Sequence, residues 1–200
     1  MRVITGTARG RALTAVEGMD VRPTTEKVKE AVFSAIQFEV EGARVLDLFC
    51  GSGQMGIEAL SRGASFCVFV DNARRSQDVT KKNLSASGLF SSARVAAMDY
   101  QDFLRTTKDR FDIVFLDPPY SKGHVQAALL LLPDIMTDSG VILCEHEHSD
   151  KLPEEAGAFV RTKEYRYGRI SVSAYRKKES RERLLEDRKQ DENCGLSRQL

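Results

Sequence analysis

"ARVLDLFCGSGQMGIEALSRG", residues 43–63, is the stretch whose reading decides the fold. Ala43 to Phe49 form an apolar run short enough for a buried strand. "CGSG" follows as a tight loop. Gln54 to Arg62 then read as a helix, closed by Gly63, a residue suited to the left-handed turn that ends one. Strand, glycine loop and helix in immediate succession open a βαβ unit.

The pattern repeats outward from there. "FCVFVD" (66–71), "ARVAAMD" (93–99), "FDIVFLD" (111–117) and "GVILCEHE" (140–147) read as further strands, with helices over 72–88 and 124–136. The strands are continuous apolar runs, which marks a parallel sheet covered on both faces. Strands alternating with helices make a doubly wound α/β layer. The segment 158–176 differs, reading as two strands turned around Gly168, a C-terminal antiparallel hairpin. Ahead of residue 43, "RPTTEKVKEAVFSAIQ" spaces Val28, Ala31, Val32, Ala35 and Ile36 helically, with Pro23 and Thr24 or Thr25 at the helix start. Residues 1–21 read as a small β-hairpin extension broken at Gly6, Gly10 and Gly18. The expected organisation is extension 1–21, main domain 22–178, and a charged, mobile tail 179–200.

Composition fits one core with a small appendage: 200 residues, 42% hydrophobic, 30% charged, net charge +1. There is no apolar run of about 18 residues and no apolar segment near the N-terminus, so the expectation is a cytoplasmic protein with no membrane contact. Cys50, Cys67, Cys144 and Cys194 form no C-x-x-C pair, so neither a disulfide framework nor a zinc site is expected. Charge is unevenly placed. Residues 1–16 carry Arg2, Arg9 and Arg11 and no acid, and residues 161–178 carry seven basic residues against Glu164 alone. Both ends are therefore suited to phosphates, or are solvated surface.

Open α/β sheets bind ligands at the carboxyl ends of their strands. There the first four strands carry Asp47, Asp71, Asp99 and Asp117. Gly51, Gly53 and Gly56 formally match a dinucleotide fingerprint, and Asp71 is placed to accept hydrogen bonds from a ribose diol. Asp47, just ahead of the glycines, would repel a pyrophosphate but suits an ammonium, and Asp99 could accept from an adenine amine. The balance favours S-adenosylmethionine over NAD.

"DPPY", residues 117–120, ends the fourth strand. An exocyclic base amine is a poor nucleophile, because its lone pair is delocalised. Asp117 and a backbone carbonyl could accept its N–H bonds and aim it, with Pro118 and Pro119 fixing the backbone. Tyr120 could stack on a flipped base. The plain alternative is a proline turn at a sheet edge.

"RVITGTARGRAL", "RPTTEKVKEAVF", "VLDLFCGSGQMGIEALSRGA", "DIVFLDPPY" and "YRYGRISVSAY" together resemble the bacterial 16S ribosomal RNA guanine-N2 methyltransferase family, in order, over residues 1 to about 178. Cys50 and the run Gly53-Gln54-Met55-Gly56 depart from the alanine and the Gly-Ala-Leu-Gly usual there. The resemblance implies a seven-stranded class I methyltransferase sheet, with an N-terminal hairpin that helps engage RNA. S-adenosylmethionine would be held by Asp47, Phe49, Gly51, Gly53, Asp71 and Asp99, and the target guanine by Asp117, Pro118, Pro119 and Tyr120. Arg9 and Arg11 on the hairpin, with Arg22 and Thr25 at the helix entry, would face the RNA. The expected partner is 16S rRNA or the small-subunit particle, met by a monomer. His124, His146 and His148 read as polar edge residues, no general base being obvious. The rival readings are an N6-adenine methyltransferase on DNA or RNA, an NAD-dependent oxidoreductase, and a non-catalytic RNA-binding module.

Overall fold

The computed structural model of the chain describes residues 1–16, 26–118 and 123–179. Five helices are described: α1 (Glu26–Ala35), α2 (Gln54–Ser61), α3 (Arg74–Ser87), α4 (Tyr100–Thr106) and α5 (His124–Leu131). The strands are β1 (Arg44–Leu48), β2 (Phe66–Asp71), β3 (Ala93–Ala97), β4 (Phe111–Leu116), β5 (Met136–Glu147), β6 (Glu155–Ala156), β7 (Phe159–Tyr167) and β8 (Ile170–Lys177). They form one sheet in the order β3-β2-β1-β4-β5-β8-β7-β6. β1 to β5 pair in parallel, while β8 runs antiparallel to β5 and β7. The seven expected strands are there, and β6 adds a two-residue eighth.

Two apolar layers cover the sheet. On one face Val28, Val32 and Phe33 of α1, Met55, Ile57 and Leu60 of α2, and Leu84 of α3 pack with Val45, Phe69, Ile113 and Phe115. On the other, Tyr100, Phe103 and Leu104 of α4, with Val125, Ala128 and Leu129 of α5, meet Leu46, Leu48, Val68 and Leu116. Side chains alternate across each strand, so residues two apart share a face.

α4 has no counterpart in the sequence reading. It is only seven residues long, and Asp99 starts it by accepting the Gln101 N–H at 2.7 Å. Residues 1–16 do not form two regular strands: a single bridge, Arg2 to Ala12, closes the loop. The loop is held by α2. The Glu58 carboxylate accepts from the Ile4 and Thr5 amides at 2.8 and 3.0 Å, and the Ser61 carbonyl accepts from the Thr7 amide at 2.8 Å. Val3, Ala8 and Leu13 join the same apolar layer as α1. Glu58 also pairs with buried Lys29 at 3.4 Å and with Arg62 at 2.8 Å. Burial pushes the Lys29 ammonium below its ordinary range, with Glu58 pulling against it. No helix among the described residues is long and apolar enough to cross a membrane.

His146 is not an edge residue. It is 1% exposed, and its ring joins the Ser173 hydroxyl at 2.9 Å and the Glu147 carbonyl at 2.8 Å. β8 covers β5 here, so what looked like the end of the sheet is its interior. The tail expected over 179–200 lies, beyond Glu179, outside the described residues.

Candidate active site

The strand order reverses at β1 and β4, which lie side by side: from β1 the sheet continues to β2 and β3, from β4 to β5. Such a switch point opens a crevice at the carboxyl edge. Leu48 pairs with both Val70 and Leu116, so the chain after β1, Asp71 and Asp117 all leave this edge together.

The loop after β1 is anchored on both sides. The Phe49 and Cys50 amides both donate to the Val70 carbonyl, at 3.0 and 3.1 Å. From α3, the Thr80 hydroxyl donates to the Gly51 carbonyl at 3.0 Å, and the Asn83 amide to the Ser52 carbonyl at 2.8 Å. Phe49 has φ +65°, the one non-glycine residue with positive φ among the described residues. That conformation costs about 1 kcal/mol for an L residue. It throws the ring against Tyr100 and His124, with centroids 4.7 and 5.8 Å apart. Gly53 has φ +76°, and a Cβ there would stand 2.9 Å from Thr80 Cγ2. Burial pushes the Cys50 thiol well above its ordinary range, leaving it a small apolar side chain.

The acids stand in different states. Asp47 is 4% exposed and lies beneath the loop, accepting the Gly56 amide at 2.9 Å. Burial raises its pKa to about 7, with the Gly56 bond opposing and Asp71 adding to the rise. Asp71 is half-buried, and its oxygens accept from the Gly51 and Ala73 amides at 3.0 and 2.9 Å. A carboxylate offers about four lone-pair sites, so the fixed group keeps capacity for a diol. Asp99 uses one oxygen to cap α4. Asp117 is half-buried and Pro118 buried, directly after β4. Pro119, Tyr120, Arg22 and Thr25 lie outside the described residues. Arg9 and Arg11 are exposed on the N-terminal loop, away from these acids in sequence and held there through α2.

Sequence reasoning missed one cluster. The Tyr100 hydroxyl lies 3.3 Å from His124 Nδ1 and accepts from Gln101 Nε2 at 3.0 Å. With Phe49, these rings wall the crevice between the first helical residues of α4 and α5. The available signal was position: Tyr100 directly follows Asp99, and His124 follows the D-P-P-Y run.

A sheet of this order, with a glycine loop after β1 and acids near the end of β1 (Asp47), at the end of β2 (Asp71) and just after β4 (Asp117), defines the class I methyltransferase type of α/β sheet. The chain belongs to the family described as Conserved hypothetical protein 95, whose model matches residues 1–176, and with it to the bacterial 16S rRNA methyltransferases. It is 42% identical over 183 residues to "Putative rRNA methyltransferase YlbH" of Bacillus subtilis, covering 89% of this chain and 100% of that one. It is 32% identical to Ribosomal RNA small subunit methyltransferase D of Escherichia coli K12, over 88% of this chain and 90% of the relative. Among solved structures, "Putative methyltransferase yhhF from Escherichia coli" superposes with TM-score 0.80 at 32% identity, over 88% of this chain and 97% of that one.

Proposed function

We propose that this chain methylates the N2 amine of a guanine in 16S ribosomal RNA, using S-adenosylmethionine as donor. The observation that carries the reading is the exit of Asp117 and Pro118 from β4 at the switch point, beside the Phe49–Gly53 loop. The names of the relatives support the rRNA substrate.

The residues present fit the donor. Asp71 is held by two backbone amides with lone pairs left for a ribose diol, Asp99 stands beyond β3 for an adenine amine, and the raised pKa of Asp47 suits a ligand that brings a cation. Bound there, the donor supplies an electrophilic methyl on a sulfonium. The chain's own part is orientation. Asp117 and the Pro118 carbonyl accept the two N2–H bonds, which localises the nitrogen lone pair and aims it. The proton leaves N2 after the new C–N bond forms, so no strong base is needed before attack. Tyr120 supplies the platform for the flipped base.

The test is incubation of undermethylated small subunits with radiolabelled S-adenosylmethionine, then digestion to nucleosides. N2-methylguanosine is expected, whereas N6-methyladenosine would replace the guanine assignment with adenine. Asp117→Ala is expected to keep donor and RNA binding while lowering transfer by at least about 100-fold. Transfer at the parental rate would remove Asp117 from the mechanism.

A further inference from the structure

β7 carries a feature the proposed chemistry does not use. A register shift between Arg161 and Lys163 resets the strand's alternation. Beyond it Lys163, Tyr165 and Tyr167 fall on one face. Both tyrosines are half-buried against the apolar layer that α1 shares. Lys163 is exposed, with Nζ 4.7 Å from the centre of the Tyr165 ring. Glu164, between them in sequence, falls on the opposite face, where the Ser171 hydroxyl donates to it at 2.9 Å and Arg161 pairs with it at 3.5 Å. β6 pairs with Phe159 and Val160, and the Arg161 amide donates to the Glu154 carbonyl at 2.8 Å; beyond Arg161, β7 has no outer strand partner among the described residues. Arg166 and Arg169, both exposed, extend the positive charge around the Gly168 turn.

The row in which Tyr165 stands leads to the proposed catalytic carboxylate. Tyr165 pairs with Val172, and Val172 with Glu145. Glu145 follows Cys144, whose partner Leu116 is followed by Asp117. Asp117 and Tyr165 are thus three strand spacings apart, about 14 Å. That is a reach on the order of two nucleotides of extended strand. Glu145, buried, and Glu147, exposed, are the acids on this face along the way.

We infer that Lys163, Tyr165 and Tyr167 form a track for the single-stranded RNA beside the target guanine, the tyrosines stacking its bases and the lysine meeting its phosphates. Half-buried aromatic rings on a sheet face, with a cation between them and solvent, are the arrangement on which successive bases stack without hydrogen-bond readout. The inference rests on the rRNA methyltransferase reading and names the part of the RNA it concerns.

The probe is a short single-stranded RNA with one guanine and 2-aminopurine two positions from it. The parental protein is expected to bind it and quench the 2-aminopurine. Tyr165→Leu with Tyr167→Leu keeps apolar packing but removes the stacking planes. It is expected to weaken RNA binding about ten-fold per ring and to abolish quenching, with S-adenosylmethionine affinity unchanged. Tyr165→Phe with Tyr167→Phe is expected to restore both readouts. Lys163→Ala should lower the salt dependence of binding by about 0.7 in log–log slope. RNA affinity within two-fold of the parent in the double leucine variant, with 2-aminopurine still quenched, overturns the track. Absence of methyl transfer to small subunits by the parental protein overturns the enzymatic reading instead, so the two failures are separate.

Discussion

Asp47 meets two demands that oppose each other. Folding has placed it where its charge is poorly solvated, with a pKa of about 7 against 3.8 when free. The sign follows from the raised value. Well below pH 3.8 the group is protonated in both states and its burial costs no charge. As pH rises toward 7 the unfolded chain ionises first, and stability is lost, by about 4 kcal/mol once both states are ionised. Asp47→Asn, which keeps an acceptor for the Gly56 amide, is therefore expected to raise stability to urea by up to about 4 kcal/mol at pH 8 and by about 2 kcal/mol at pH 5. Calorimetry should show weaker donor binding in the same variant, since a carboxylate kept at such a cost is one that function requires. The four acids were legible in the sequence because each closes or nearly closes an apolar run. Their prior engagements were not. That Asp99 caps a helix and that Asp71 is tied to Gly51 and Ala73 depend on where the backbone turns after each strand, which a pattern of residue types does not specify.

Among the elements, α2 packs directly onto β2 at Gly56. A Cβ at that position would stand 2.4 Å from the Phe69 ring and 2.6 Å from Cys67 Sγ, both fully buried in β2. Gly56→Ala gains about 1 kcal/mol of helix propensity. Overpacking against side chains with nowhere to move costs more, and a net loss of about 2 kcal/mol in urea denaturation is expected. The third glycine of the G-x-G-x-x-G spacing thus answers a packing need shared by many nucleotide folds, which is why the match alone did not choose a ligand. Parallel strands and the long helices were readable because each repeats one period over many residues. α4 was not, because seven residues give barely two turns of period and half of its definition comes from Asp99 outside it. β5 begins at Met136 instead of near Gly140, because its first residues pair with Phe111 across an irregular register rather than following their own composition.

At the scale of the molecule, Ser61 and Glu58 of α2 join the N-terminal loop to the body, and Glu58 is the joint that carries charge. Lys29, Arg62 and the amides of Ile4 and Thr5 converge on that one carboxylate. Lys29→Met leaves Glu58 buried without its ammonium and frees the Arg2 carbonyl that Lys29 also holds at 2.8 Å. A loss of about 3 kcal/mol is expected in thermal or urea unfolding, larger than the lost contact alone because the remaining charge stays buried. Composition showed that residues 1–16 are basic; it could not show that the segment's backbone would be read by α2, since Glu58 looks in sequence like any charge on an amphipathic helix.

Asn83 joins this segment to the crevice. The side chain is 1% exposed; its oxygen accepts the Thr14 amide at 2.8 Å, and its nitrogen donates to the Thr14 carbonyl at 3.0 Å and to the Ser52 carbonyl at 2.8 Å. One planar group therefore serves two backbones at once, and neither can shift without disturbing the other's hydrogen bonds. The arm that carries Arg9 and Arg11 and the glycine loop thus hang from one buried side chain, so its loss would leave polar backbone groups of both without their partner.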